Sequence, residues 1–113
     1  MEYTEALALV KSEFNTRYDA AHCEIIRTGC TYDGCNGFCV VLYNYGNKIM
    51  VSDMSITREI FSEVADEEWE SFCRENGFEF NNCRIEKKFN GIEDVYDFIN
   101  FLDMISDKYC CFD

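Results

Sequence analysis

Two runs rich in β-branched and aromatic residues, FCVVLYNY (38–45) and KIMVSDM (48–54), are separated only by Gly46-Asn47. No other feature restricts the fold as much. A two-residue connection can only reverse the chain, so the runs read as an antiparallel hairpin. Upstream, CEIIRTG (23–29) reads as another short strand. The segment TYDGCNG between them holds the turn pairs Asp33-Gly34 and Asn36-Gly37. Together these make a three-stranded meander.

Helical patterns flank the meander. In EYTEALALVKSEFNTRY (2–18), Tyr3, Ala6, Leu7, Val10 and Phe14 fall at helical spacing. A second helix is expected from about Ser55, with Ile56, Ile60, Phe61 and Val64 on one face. The pattern breaks near Ala65, where Asp66-Glu67-Glu68 reads as a fresh helix start with Asp66 as its cap. Trp69, Phe72 and Cys73 mark the buried stripe, and Asn76-Gly77 is a C-terminal stop. FEFNNCRIEKKF (78–89) reads as a fourth strand, bent at Asn81-Asn82. Asn90 and Glu93 resemble a capping box for a last helix over about 91–107. Its stripe is Ile92, Val95, Tyr96, Ile99, Leu102 and Ile105. Phe98 and Phe101 fall off that stripe and widen it, so either the helix is covered on more than one side or these two are interface residues, for a partner or for a homodimer. The expected class is α+β in the order αβββααβα, with an antiparallel sheet and helices packed mainly on one face. Residues 1–113 form a single domain on this reading.

Of the 113 residues, 48% are hydrophobic and 16% aromatic, enough to fill a core without metal or disulfide staples. There is no proline, which removes polyproline ligand motifs and stiff linkers. No apolar run approaches the roughly 18 residues of a membrane span. Glu2 and Glu5 stand where a signal peptide would carry basic residues, so a cytoplasmic location is expected.

The net charge is −12. Residues 1–53 hold seven acids against four bases, and residues 54–113 hold fifteen against six. Such a surface repels phosphate backbones and anionic lipid, so direct nucleic-acid and membrane binding are disfavoured. A basic surface on another protein is the favoured partner, the groove of a nucleic-acid-binding protein included. Acidity also serves solubility alone.

The run GFCVVLYNYGNKIMVSDMSITREIF, followed by a helix ending ENGFEF, a strand CRIEKKF and an apolar helix, resembles the DUF1828 family of small bacterial and phage-associated domains. The similarity covers about residues 20–108. It implies this succession of elements and a mobile-element setting. It implies no site residues, because no function is established for that family.

Chemical signatures are sparse. The sole histidine, His22, adjoins Cys23, but neighbours in a strand point to opposite faces. Cys30-x₄-Cys35 and Cys35-x₃-Cys39 lack the tight C-x₂-C knuckle of zinc sites. Cys30, Cys35, Cys110 and Cys111 are the residues from which a metal site would have to be built. Cys39 and Cys73 read as small core residues. Structural disulfides are not expected in a reducing compartment. No glycine-rich loop leads into a helix, so phosphate binding has no support. Asp53 ends a strand before a helix, where the ordinary role is a cap or a turn bond. The densest negative surface is Glu59, Glu63, Asp66, Glu67, Glu68 and Glu70, with Glu59 and Glu63 one helical turn apart.

No catalytic set emerges, and neither enzymatic activity nor a cofactor is expected. The favoured function is an acidic interaction module that uses those six carboxylates. In a phage or mobile-element setting it would be an inhibitor mimicking nucleic-acid charge, as an anti-CRISPR protein does. The alternatives are a cysteine-based metal or thiol protein, and a structural homo-oligomeric subunit.

Overall fold

Tyr45 and Lys48 pair across the Gly46-Asn47 turn, with Gly46 at φ +60°, a conformation that glycine adopts without steric cost. Around this hairpin the computed structural model, which describes residues 1–19 and 23–110, builds a six-stranded sheet under four helices. The elements are α1 (Tyr3–Glu13), β1 (Asn15–Asp19), β2 (Cys23–Arg27), β3 (Val40–Tyr45), β4 (Lys48–Ser52), α2 (Ile56–Ile60), α3 (Asp66–Glu75), β5 (Glu79–Asn81), β6 (Arg84–Lys88) and α4 (Ile92–Tyr109). The sheet order is β1-β2-β3-β4-β6-β5, and every neighbouring pair is antiparallel. The α+β class expected from the sequence is therefore the class adopted.

Two strands exceed the expected order. The first helix stops at Glu13, and Asn15–Asp19 crosses to pair with β2, Thr16 opposite Ile26. Asn15 and Thr16 are poor helix formers, and pairing satisfies the edge of β2. The expected strand over 78–89 is a hairpin, β5 and β6, with Asn81 paired to Arg84. Its turn residues Asn82 and Cys83 lie at φ +52° and +65°, the double left-handed geometry of a tight hairpin turn.

The stop of α3 follows the sequence closely. Gly77 has φ +81°, its N–H donates to Arg74 O at 3.2 Å, and Phe78 N–H donates to Cys73 O at 2.8 Å. These two bonds make the Schellman motif that closes α3. At the start of α4 the cap differs from expectation. Asp94, not Glu93, reaches back, its Oδ2 accepting from Asn90 N at 2.6 Å and Gly91 N at 3.1 Å.

Strand alternation sets the layers. Ile26, Val40, Leu42, Ile49, Val51 and Ile85 turn to the helices and join Ala6, Val10, Trp69, Val95, Leu102 and Ile105 in one core. All the helices contribute to this side. The stripe of α4 is rotated from the expected one. Phe98 and Phe101 are buried at its centre, Phe101 stacked on Phe78 with ring centroids 4.2 Å apart, while Tyr96 is exposed. Phe98 and Phe101 are thus core residues of the monomer and offer no aromatic patch to a partner. No described helix is long and apolar enough to cross a membrane.

Candidate functional site

The acidic face is built by α3. Burial of Trp69 and Cys73 fixes the rotation of this helix, and Asp66, Glu67, Glu68 and Glu70 are left exposed around them. Acids in the first turn also suit the positive end of the helix dipole. Asp66 is the first helical residue rather than a side-chain cap, and it is bound by Arg58 of α2. The guanidinium meets its carboxylate twice, Nε–Oδ1 at 2.7 Å and Nη2–Oδ2 at 3.3 Å. That pairing holds the Asp66 carboxyl below its ordinary range. Glu68 Oε1 accepts from the Tyr109 hydroxyl at 3.0 Å, and Tyr109 is pushed up to about 12 by burial first and by Glu68 second.

Glu59 and Glu63 do not share a helix face, because α2 ends at Ile60 and Glu63 lies in the following turn. Glu63 and Glu68 instead flank a cleft of about 420 Å³ whose lining includes Phe61, Val64 and Tyr109. Among the described residues, Glu59, Glu63, Glu67 and Glu70 form no ion pair within 4.0 Å.

Asp53 is a structural node. Its buried carboxylate accepts from Ser55 N at 3.0 Å, Thr57 N at 3.2 Å and Ile85 N at 2.9 Å. Burial raises its pKa, and these N–H groups and the Thr57 hydroxyl oppose the rise. The bonds support a chain reversal in which Met54 and Ser55 both take positive φ, 53° and 71°. The turn role expected for Asp53 is the one it fills, with an added tie to β6.

The cysteine segment between β2 and β3 is held by Tyr32. This buried ring shares a 2.8 Å hydrogen bond between its hydroxyl and Thr57 Oγ1, and its carbonyl accepts from Ser106. Asp33 closes the tip, accepting from Cys35 N at 3.0 Å and Asn36 N at 2.7 Å, which lowers its own pKa. Cys30 and Cys35 are exposed on this loop, and Cys110 is half-buried at the end of α4. Cys111 and His22 lie outside the described residues. Among the described residues no three metal-donor side chains converge. Cys73 is buried in the core as expected, whereas Cys39 is half-buried and precedes β3.

Two clusters escaped the sequence reading. On the sheet face away from the helices, Tyr43, Tyr45, Lys48, Arg84 and Glu86 line a cleft of about 410 Å³. Tyr43 donates to the buried Glu86, and Arg84 Nε stands 4.0 Å from Glu86 Oε2. Burial foremost, and then Glu86, raises the Tyr43 pKa. On the other face, Glu24 is buried beside a second cavity under α1. The only signal in the sequence was an acid at the alternation position shared with Ile26.

Comparison of the chain with family models, curated proteins and solved structures found no significant match.

Proposed function

We propose that this chain is an acidic interaction module that docks on a basic protein surface through α2, the following turn and α3. One observation carries the reading: Glu59, Glu63, Glu67 and Glu70 are exposed without ion-pair partners among the described residues, on a chain of net charge −12. The one cation paired within this face, Arg58, is committed to Asp66. Unneutralised carboxylates of this density attract a cationic patch over a Debye length and orient the encounter. A groove that normally holds nucleic acid has that chemistry. The module would then act as a charge mimic that blocks such a groove, as an anti-CRISPR protein does. The DUF1828-like succession of elements fits a phage or mobile-element setting.

The test is capture from a bacterial lysate at about 50 mM salt with the wild-type chain and with the Glu59→Lys, Glu63→Lys, Glu67→Lys variant. A nucleic-acid-binding protein retained by the wild type, lost by the variant and eluted by duplex DNA is expected. Equal retention by both chains, or none by either, refutes the proposal.

A further inference from the structure

Glu24 is only 5% exposed, and among the described residues its carboxylate has neither a hydrogen bond nor an ion pair. Its place follows from register. In β2 it pairs with Tyr18 of β1 and Leu42 of β3, on the face turned towards the helices. Leu42 goes on into the core, but at Glu24 the layer opens. A cavity of about 350 Å³ lies there, lined by Tyr3 and Leu7 of α1 and by Tyr18, Glu24 and Asn44 of the sheet. The Tyr3 hydroxyl does not serve Glu24, because it donates to Leu42 O at 3.2 Å. Tyr18 stands at 62% exposure on the edge strand, at the rim of this cavity.

The carboxylate oxygens reach the open side of the cavity, and no donor of the described chain pairs with them, so a cation entering there would meet an unpaired charge. The walls say what would satisfy it. Two tyrosine rings and a leucine accept an aliphatic stem, and tyrosine faces attract a cation. A carboxylate at the base selects an ammonium or a guanidinium. The volume suits a small ligand or one long side chain.

We propose that this cavity is a receptor for an organic cation, an ammonium or guanidinium on an aliphatic stem, with Glu24 as counter-ion and Tyr3, Tyr18 and Leu7 as walls. The cation would come from a free amine or from a lysine or arginine of a bound protein. The proposal does not depend on the acidic α2–α3 face, and either can fail alone.

Amide NMR titrations of the full chain at neutral pH test it. The probes are Nα-acetyl-lysine methylamide, its neutral Nε-acetylated analogue, butylamine, and a pentapeptide with a central lysine flanked by glycines. Saturable shifts at Leu7, Tyr18, Glu24 and Asn44 are expected with the charged probes and not with the neutral one. Glu24→Gln should weaken binding at least tenfold. Tyr18→Ala, a change at an exposed position, should weaken it several-fold and keep the spectrum otherwise intact. Tighter binding of the pentapeptide than of butylamine assigns the cavity to a protein side chain, and the reverse order assigns it to a free amine. No saturable shift with any charged probe, or equal binding by the neutral analogue, overturns the proposal. So does unchanged affinity in both variants.

Discussion

Asp53 Oδ1 accepts the backbone N–H of Ile85 at 2.9 Å across 32 residues of sequence, and the same carboxylate holds the N–H groups of Ser55 and Thr57. One side chain thus joins the end of β4, the start of α2 and the first residues of β6. Replacement by alanine removes the acceptor of three backbone N–H groups, two of them in buried bonds. Asp53→Ala should cost about 3 kcal/mol, measured by urea unfolding. Asp53→Asn keeps one acceptor oxygen and should cost about half as much. A loss below about 1 kcal/mol for alanine would mean that the carboxylate is not needed for folding.

What the sequence disclosed depended on how local each determinant is. The β3–β4 hairpin was legible because a two-residue turn admits one topology. The stop of α3 was legible because Asn76-Gly77 supplies the left-handed residue on the spot. Strand β1 was hidden because the helical spacing of Val10 and Phe14 continues past the true helix end. As an edge strand with four of its five residues exposed, β1 also has no apolar alternation to betray it. The β5–β6 reversal was hidden because its turn, Asn82-Cys83, contains no glycine. Phe98 and Phe101 stayed open between core and interface because α4 has apolar residues over a wide arc, and only the position of Phe78 and Phe72 decides which side is inward. The acidic face could be read from composition. The Glu24 cavity could not, since its walls come from α1, β1, β2 and β3 and meet only in the folded chain.

The placement of Phe98 has a direct consequence. It lies edge-on to Phe78 with centroids 5.7 Å apart and has no exposed surface. Phe98→Ala removes a buried ring and leaves a cavity, so it should cost about 4 kcal/mol in denaturant unfolding. The loss should be independent of protein concentration, because the contact is made within one chain. A variant as stable as the wild type when dilute, and different only in self-association, would restore the interface role.

Arg58 and Asp66 give a pH signature. The pair lowers the folded-state pKa of Asp66 below that of an unfolded aspartate. The unfolded chain then binds the proton more readily across that window. The contribution of the pair is present above the ordinary carboxylate range and is lost as pH falls through the folded value. A carboxyl-carbon NMR titration should place the Asp66 midpoint below that of an unstructured aspartate. Arg58→Ala should bring it back, and added salt should bring it part of the way, because both side chains are solvated. An Asp66 midpoint that does not move in Arg58→Ala would assign the shift to the start of α3 instead.

The thiols should separate by burial. Cys30 and Cys35 are exposed on the loop between β2 and β3. Burial pushes the Cys39 thiol up to about 11 and the Cys73 thiol up to about 12, so little thiolate forms there at neutral pH. The thiolate is the reactive form, and access limits it further. Brief treatment of the native chain with iodoacetamide, followed by peptide mass analysis, should find Cys30 and Cys35 modified first and Cys73 last. Cys73 should react at the rate of a free peptide only after unfolding in urea. Early modification of Cys73 with the fold intact would mean that the layer formed by Trp69, Phe78 and Phe101 opens in the native state.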